Sequence, residues 1–486
     1  MRIPLPVFKL FWRRKMAILL NLVVLVLLSV QVMGQSAIDL ADLSAFNNPG
    51  KSWRVAGAVV ADLRKPNAFN IAPGKGILVN VSEEKKHGTD LYTKTEFGDV
   101  DVEFDYMMAK GANSGVYLQG MYEVQLEDTW GAKETAFGKN GGIYERWDDD
   151  RPQGNKGYEG FAPRQNASRA TGLWQHIKIS FQAPRFDGKG KKIQAARMIL
   201  IELNGVIIHE NVELSGPTRG AMGKDEKKTG PLRFQGDHGT VAFQNMKITP
   251  FDKGRTEVVP PVSRQVPVYP IFVNAYETPV FRSFMDLPDG QRVIHTVSVA
   301  SNEKVHYTYD MDTGMIIQAW RGGFLDATPM WHSRGDGSSR PLGAVQRFGK
   351  PVLAIARLAT AQSPWISDTT GTHFHPKGYS LDANDNPVFN YQLGGMIVTD
   401  ATHALHNGEG ISREISIIDP AKNLYVRLAE GASILETDKG MFVIDNNAYY
   451  VRLDDAGGAS PVIREANGKK ELVIPINGKV KYSILF

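Results

Sequence analysis

The segment from Asn113 to Asp128 has the residue types best suited to chemistry and reads NSGVYLQGMYEVQLED. Because successive side chains of a β-strand point to opposite faces, the pattern predicts two adjacent strands with Val and Leu on one face. Phenol, amide and carboxylate groups on the other face supply the donors and acceptors that sugar hydroxyls need. A solvated sheet face is the alternative interpretation. The predicted polar face comprises Tyr117, Gln119, Glu123, Gln125 and Glu127.

A second cluster lies at residues 140–152, which read NGGIYERWDDDRP. Tyr144 and Trp147 offer rings that can stack on a sugar, and Arg146 offers hydrogen-bond donors for its hydroxyls. The three consecutive Asp residues could bind calcium through their oxygens, but an acidic, solvated loop is the more common use of such a run.

A third cluster lies in the segment from Gly230 to Ile248, where Gln235, Asp237 and His238 share a turn between predicted strands. Histidine is the side chain that exchanges protons most readily near neutral pH, and an adjacent carboxylate can tune it. The simpler interpretation is an exposed loop histidine. The chain has no nucleophile elbow, phosphate-binding loop or zinc-binding His-Glu-x-x-His motif, and without Cys it has neither thiol catalysis nor disulfides.

The elements that must position these clusters are predicted to be β-strands. Short alternating segments separated by turn residues run through the 486 residues, a pattern typical of sandwiches and jelly rolls. Asn204-Gly205 and Asn477-Gly478 carry the signal of a two-residue hairpin, and Asn446-Asn447 marks a further turn. A Pro-rich stretch predicts a linker at residues 256–269 between domains at 35–255 and 270–486.

The N-terminus has the pattern of a secretory signal peptide at residues 1–34. Five basic residues precede an almost unbroken apolar run, Ala17 to Val30, which is short for a membrane span. The whole chain has 56 Lys and Arg against 52 Asp and Glu, so without those five the balance becomes 51 against 52. We therefore expect a periplasmic or secreted protein and no nucleic-acid partner.

The same clusters, in order, resemble the 3-keto-disaccharide hydrolase domain, which is also labelled family 16 glycoside hydrolase-like. The resembling segments are NSGVYLQG, YEVQLED, GGIYE, PRQNAS, GLWQHIKI, LNGVII and GPLRFQGDHGTVAFQNMKI, and they span about residues 37–252. The resemblance implies a concanavalin-like jelly roll, here followed by a second β-sandwich. Three segments depart from the family pattern: a longer, more polar loop from Trp147 to Gln165 and basic insertions at residues 181–198 and 218–230. These departures leave the identity of the substrate open.

The resemblance also implies an unusual reaction on glycosides already oxidised to a ketone at C3. A base removes the acidified C2 proton, the C1 aglycone leaves by elimination, and water can add to the unsaturated sugar. This route needs one base, stabilisation of the enolate and a proton donor, not two facing carboxylates. Carried over to this sequence, the catalytic candidates are Glu123, His238 and Asp128. The substrate-binding candidates are Tyr117, Gln119, Gln125, Tyr144, Arg146, Asn166 and Gln235.

No cofactor is required by the sequence, although a divalent metal that holds the sugar oxygens at C2 and C3 is an open alternative. The C-terminal half resembles a β-sandwich segment of exported bacterial proteins. Four of its histidines, His373, His375, His403 and His406, are interpreted as separate surface residues rather than a metal site. The alternatives to a hydrolase or lyase are a non-catalytic carbohydrate-binding protein and a module that docks onto a periplasmic sugar oxidoreductase.

Overall fold

A computed structural model describes residues 36–82, 87–251, 268–277, 279–332, 337–366 and 368–486. The predicted signal peptide and most of the predicted linker lie outside these ranges. The described chain is almost entirely β-structure, which confirms the predicted all-β class. Its one helix, α1 (Thr328–Trp331), is a single turn. Within these ranges, no helix has the length and apolar character needed to cross a membrane.

Seventeen strands form the first set, from residue 36 to residue 250. They are β1 (Ser36–Ala37), β2 (Phe46–Asn47), β3 (Trp53–Ala61), β4 (Phe69–Asn80), β5 (Leu91–Phe97), β6 (Val100–Met108), β7 (Asn113–Leu118), β8 (Tyr122–Glu127), β9 (Arg146–Trp147), β10 (Gly157–Tyr158), β11 (Gln175–Gln182), β12 (Arg185–Phe186), β13 (Lys192–Gln194), β14 (Ala196–Leu203), β15 (Val206–Leu214), β16 (Gly230–Phe234) and β17 (Val241–Pro250).

Most of these strands build two antiparallel sheets. The large sheet has the order β15-β14-β11-β6-β17-β4-β3, with β1 beside β17, and the small sheet has the order β2-β5-β16-β7-β8. Strands β14 and β15 form the predicted hairpin, with φ of 51° at Asn204 and 82° at Gly205. Two positive φ angles give the turn the twist that antiparallel strands need, and Asn-Gly adopts them with little strain.

One hydrophobic core fills the space between the two sheets. Phe104 and Phe243 of the large sheet contact each other and Phe234 of the small sheet edge to face, at centroid distances of 5.1–6.0 Å. Val116 and Val124 enter the same core from β7 and β8. The alternation predicted for this hairpin is therefore confirmed on its apolar side, and its other side faces away from the core.

The second set of strands begins at residue 272. They are β18 (Phe272–Val273), β19 (Val280–Asp286), β20 (Arg292–Val299), β21 (Val305–Asp310), β22 (Met315–Asp326), β23 (Arg340–Arg347), β24 (Ile355–Arg357), β25 (His375–Leu381), β26 (Pro387–Leu393), β27 (Met396–Ala404), β28 (Gly410–Ile418), β29 (Leu424–Gly431), β30 (Ile434–Asp438), β31 (Met441–Ile444), β32 (Tyr449–Asp455), β33 (Val462–Ala466), β34 (Lys469–Pro475) and β35 (Lys479–Leu485).

These strands form a six-stranded sheet with β22 at its centre, a four-stranded sheet β24-β29-β34-β33, and an eight-stranded sheet β25-β26-β27-β28-β35-β32-β31-β30. The turn at Asn446-Asn447 joins the paired strands β31 and β32 as predicted. The hairpin expected at Asn477-Gly478 is wrong. There the chain passes from β34 in the four-stranded sheet to β35 in the eight-stranded sheet.

The two sets of strands pack against each other through hydrogen bonds and a small apolar cluster. The Trp130 indole donates to the carbonyl of Glu409 (3.0 Å), and the Tyr450 hydroxyl donates to the carbonyl of Thr171 (3.1 Å). Leu173 of the first set is buried in the same cluster as Tyr450 of the second. The loops that flank the first domain's small sheet are thus braced from the C-terminal side.

Candidate active site

The outer face of the small sheet forms the floor of the candidate site. In the register of β7 with β8, Tyr117 lies opposite Glu123 and Gly115 lies opposite Gln125. Arg233 of β16 pairs with Tyr117 from the other side. Three neighbouring strands therefore present a phenol, a carboxyl, an amide and a guanidinium on one face, while their alternate residues fill the core.

Glu123 is the central titratable group of this floor and is only 1% exposed. Burial raises the pKa of its carboxyl to about 8, although a hydrogen bond from the Tyr117 hydroxyl and the charge of Arg233 act in the opposite direction. Burial, helped by the adjacent carboxylate, also raises the pKa of Tyr117, so that this residue stays a donor. Among the described residues, Glu123 Oε1 has no hydrogen-bond partner.

A missing side chain makes room for that oxygen. A Cβ atom on Gly115 would lie 2.3 Å from Glu123 Oε1, which is too close for any real contact. The glycine therefore leaves a depression in the sheet surface that the carboxyl occupies. The main chain of Gly115 also accepts a hydrogen bond from the amide of Gln235, at 2.9 Å.

Three residues around this depression each have a side-chain oxygen with no hydrogen-bond partner among the described residues. They are Glu123, Gln125 across from Gly115, and Gln235, which is hydrogen bonded to the main chain of that glycine. Buried polar atoms are rarely left unpaired in folded proteins, and those that are need an explanation. Oxygens of this type accept hydrogen bonds from sugar hydroxyls, and they are also suitable ligands for Ca²⁺ or Mg²⁺.

Arg233 holds the floor together and is a functional candidate that the sequence analysis missed. Its guanidinium lies 4.1 Å from the centre of the Tyr117 ring, and its Nε lies 2.7 Å from Asp90 Oδ2. Its Nη1 donates to the carbonyl of Gly220 at 2.5 Å, which ties the loop above the floor to the sheet. A charged residue in the apolar strand GPLRF was the signal that could have identified it.

Tyr144 and Arg219 form one side of the site. The amide of Tyr144 donates to the carbonyl of Glu123 (3.1 Å), which continues the sheet beyond β8, and its ring lies against Phe137. Burial raises the pKa of Tyr144, against the effect of the nearby Arg219. Arg219 stacks over the Trp147 ring at 3.9 Å and is exposed. Its position in a predicted insertion gave no sign of a role.

His238 lies at the exposed edge of the site. Its Nδ1 is 2.5 Å from Asp237 Oδ1, and over half of its side chain is exposed. The Asp237 carboxylate is one of the charges that raise the pKa of Glu123, so the pair belongs to the same electrostatic environment. The predicted Asp–His pair is therefore formed.

Four predicted residues have other partners. Gln119 lies in the β7–β8 turn with φ of 56°, and its amide nitrogen donates to the carbonyls of Phe97 and Lys228. Asp128 accepts hydrogen bonds from the amide of Gly111 and the hydroxyl of Thr171. The two remaining residues are held similarly: Asn166 by the carbonyls of Thr129 and Ala132, and Arg146 by Glu159.

Two of the four histidines singled out in the second domain have acidic neighbours of their own. His403 is paired with Asp382 at 2.8 Å, and the fully exposed His406 lies 3.8 Å from Glu303. In the part of the chain that the structure describes, no group of three or more His, Cys, Asp or Glu side chains could hold a metal ion. A divalent metal held by other oxygens stays a prediction.

Comparison with known proteins agrees with the sequence resemblance. Residues 36–249 match the model of the 3-keto-alpha-glucoside-1,2-lyase-like domain. No curated protein matches the chain.

Similar solved structures include two from Parabacteroides distasonis ATCC 8503, each named "putative glycosyl hydrolase". They are 24% and 18% identical, both cover 44% of this chain and 84% and 100% of their own, and have TM-scores of 0.32 and 0.28. The botulinum neurotoxin serotype D binding domain, 8% identical, covers 93% of this chain and 97% of its own with a TM-score of 0.22. Such low TM-scores carry no structural argument. The family match therefore stands on sequence: the first domain, at residues 36–249, matches the 3-keto-alpha-glucoside-1,2-lyase-like domain.

Proposed function

We propose that this protein is an exported carbohydrate-active enzyme that cleaves 3-keto-glycosides. It removes the C2 proton and eliminates the C1 aglycone, acting as a lyase or, after addition of water, as a hydrolase. The family of the first domain and the chemistry of the floor around Glu123 support this proposal.

The reaction needs no oxidant, because the ketone at C3 is already present in the substrate. The base takes the proton from C2, and the C2–H electrons form an enolate with the ketone. When the ketone reforms, a C1–C2 double bond appears, the C1–O bond breaks, and the leaving oxygen takes a proton. Addition of water then places hydroxyl on C1 and hydrogen on C2, so that the net reaction is hydrolysis.

Glu123 is assigned the role of the base. A general base works best when its pKa lies near the working pH, and burial brings the pKa of this carboxyl to about 8. Gly115 leaves space for the carboxyl, and its unpartnered oxygen faces no competing donor among the described residues. The positive charge of Arg233 favours the negative charge that develops on the enolate.

His238 is assigned the role of the proton donor to the leaving oxygen. It is exposed at the edge of the site, where an aglycone has room, and Asp237 holds its ring. The amide oxygens of Gln125 and Gln235 accept hydrogen bonds from sugar hydroxyls, and Tyr144 borders the sugar. If a divalent cation takes part, the oxygens of Glu123, Gln125 and Gln235 would hold it, and its charge would favour the enolate.

A single observation carries the proposal: around Gly115, a buried carboxyl with a raised pKa and two amide side chains each keep an oxygen without a hydrogen-bond partner among the described residues. If Glu123, Gln125 and Gln235 had only structural roles, their three oxygens would stay without hydrogen bonds, and each would lower the stability of the fold. A bound sugar would satisfy all three.

The test is the release of a chromogenic aglycone from a 3-keto-glucoside, with the unoxidised glucoside as the matched substrate. We expect release from the keto-sugar alone, with kcat/KM rising through about pH 8 as Glu123 loses its proton. Glu123→Gln should lower kcat/KM by about 10²–10⁴-fold, as expected for loss of a general base. Glu213→Gln, on an exposed residue of β15, is the matched control and should leave the rate unchanged.

Other outcomes of this assay would change the proposal in different ways. If EDTA abolished the release of the aglycone, the site would require a divalent metal. Saturable binding of the sugar without release would replace the enzyme with the alternative, a carbohydrate-binding protein. Full activity in both Glu123→Gln and His238→Ala would contradict the assigned roles.

The N-terminus and the proposed reaction together suggest where the protein works and which enzyme supplies its substrate. The N-terminal pattern supports export to the periplasm or beyond, and the substrate must be made by an enzyme that oxidises C3 of a glycoside. A sugar oxidoreductase in the same compartment is therefore the proposed partner. N-terminal sequencing of the protein from its host's periplasmic fraction would test export, with cleavage expected near Gly34.

A further inference from the structure

A second cleft, separate from the candidate active site, lies between the two domains. It encloses about 390 Å³ and is lined from the first domain by loop residues 132–135 and 164–166 and from the second by residues around 275, 304 and 321–324. Clefts at domain boundaries are common places for ligands, and this volume suits a single sugar ring.

The charges of this cleft are unevenly compensated. Three cations line it from exposed positions, and each has a carboxylate within 4 Å: Lys133 with Glu303, Lys304 with Glu134, and Arg164 with Glu210. These pairs are solvated and hold their side chains only loosely. They are available to attract an anion from solution.

Arg321 differs from these three cations. Its side chain is 2% exposed, and in the described ranges no Asp or Glu carboxylate lies within 4 Å of it. Its Nη2 makes one long hydrogen bond, 3.4 Å, to the main-chain oxygen of Phe486, and its Nε has no partner. Burial lowers the pKa of Arg321 to about 10, although the more distant charge of Glu409 acts in the opposite direction, and Arg321 stays charged at neutral pH. A buried cation without a direct ion pair is costly, and a bound anion would offset that cost.

The remaining lining fits a sugar ring better than a bare ion. Tyr276 lines the cleft with a ring that is 74% exposed, an apolar surface with a polar tip. His306 supplies no charge, because burial lowers its pKa to about 4 and its Nε2 is hydrogen bonded to the carbonyl of Gly322.

We propose that the interdomain cleft binds a sugar acid, with its carboxylate on Arg321 and its ring over Tyr276. Lys304 and Arg164 at the rim draw the anion in. The site is independent of the reaction proposed for the first domain, and it would give the second domain a role in recognising acidic carbohydrate.

Calorimetric titration of the purified protein with sodium glucuronate, glucose and inorganic phosphate tests this proposal. We expect glucuronate to bind, and glucose and phosphate to bind at least about tenfold more weakly, because each lacks one of the two recognised features. Arg321→Met should weaken glucuronate binding by at least about tenfold while leaving Tm unchanged or higher, since it removes a buried charge that has no direct ion pair. If Arg321 had a purely structural role, its substitution would lower Tm instead.

Three further variants, one of them a double substitution, keep the test informative if Arg321→Met does not fold. Lys304→Gln with Arg164→Gln should weaken binding several-fold and reduce its dependence on salt. Lys350→Gln, an exposed cation paired with Asp289 outside the cleft, should have no effect. Glu123→Gln should also leave glucuronate binding intact, which separates this site from the active site. Equal binding of glucose and glucuronate, equal binding of phosphate, or a lower Tm with unchanged binding in Arg321→Met would each overturn the proposal.

Discussion

Each domain has a buried ionisable side chain, but the hydrogen bonds around it are complete in one domain and incomplete in the other. In the second domain, Arg413 and Asp400 form a pair in which the guanidinium contacts both carboxylate oxygens at 2.9 and 2.5 Å. Nη1 of Arg413 donates to the Tyr482 hydroxyl, Nη2 donates also to the carbonyl of Gly314, and the Tyr309 hydroxyl donates to Asp400. In the first domain, Glu123 is equally buried but keeps an oxygen without a partner.

This difference separates structural charge from functional charge. A buried pair whose hydrogen bonds are complete specifies one arrangement of the strands and offers nothing to a ligand. A buried carboxyl whose hydrogen bonds are incomplete has an open acceptor, burial raises its pKa, and such groups concentrate at functional sites. The predictions below test this distinction, beginning with the structural pair.

Asp400→Asn should destabilise the protein strongly without changing its chemistry. The substitution leaves the Arg413 charge buried without a counter-ion, and breaking such a pair typically costs about 3–5 kcal/mol in the free energy of unfolding. Urea denaturation measures the loss, and KM for the 3-keto-glucoside should stay the same in the folded fraction. Glu213→Gln is the control on an exposed pair and should leave the midpoint unchanged. An Asp400→Asn variant as stable as wild type would show that the buried Arg413–Asp400 ion pair is not needed for the stability of the fold.

The stability contributed by Glu123 should depend on pH with the opposite sign from an ordinary carboxyl. Its pKa is about 8 in the folded protein and near 4.5 when exposed, so the folded state holds the proton more tightly between these values. Its contribution is therefore complete below about pH 4.5, is lost as pH rises towards about 8, and is constant above that. The loss is on the order of a few kcal/mol.

Urea midpoints of wild type and Glu123→Gln between pH 5 and pH 9 would measure this dependence. The wild type should lose stability relative to the variant as the pH rises, because the amide cannot ionise. Parallel curves for the two proteins would mean that Glu123 is not the group with the raised pKa.

The sequence predicts well what depends on neighbouring residues. Alternation in YEVQLE placed Val124 in the core and Glu123 on the opposite face, because the side-chain period of a strand is fixed by local geometry. The hairpin at Asn204-Gly205 followed from the φ preferences of its two residues. The Asn-Gly at 477–478 failed as a hairpin signal because the same turn can lead into another sheet.

The missing parts of the site depend on contacts between distant residues. Asp90 and Arg233 are separated by over a hundred positions, and only the order of strands β5, β16 and β7 brings them to Tyr117. No local pattern contains that order. The predicted face also extended too far, since the turn takes Gln119 out of the alternation.

Gly115→Ala should damage activity more than stability. The new Cβ would meet Glu123 Oε1 at 2.3 Å, and the carboxyl, as the end of a flexible side chain, can move away at small cost. Since small displacements of a catalytic group are expensive, we expect kcat/KM to fall at least about tenfold. Gly188→Ala is the control, because its Cβ would meet nothing within 4 Å. Unchanged kinetics in Gly115→Ala would show that the position of this carboxyl does not matter to the reaction.

The smallest expected effects come from a pair of glutamines in one hairpin. Both side-chain oxygens lack partners, but the amide nitrogen of Gln119 is held by the carbonyls of Phe97 and Lys228 at 3.2 and 2.9 Å, away from Gly115. Gln119→Ala should therefore lower the free energy of unfolding by about 1 kcal/mol, the usual loss for hydrogen bonds of this kind, with KM unchanged. Gln125→Ala removes an acceptor beside Gly115 and should raise KM several-fold with little loss of stability. Urea denaturation and steady-state kinetics on both variants distinguish the two roles, and an increase in KM for Gln119→Ala alone would move the sugar from the depression at Gly115 to the end of the hairpin.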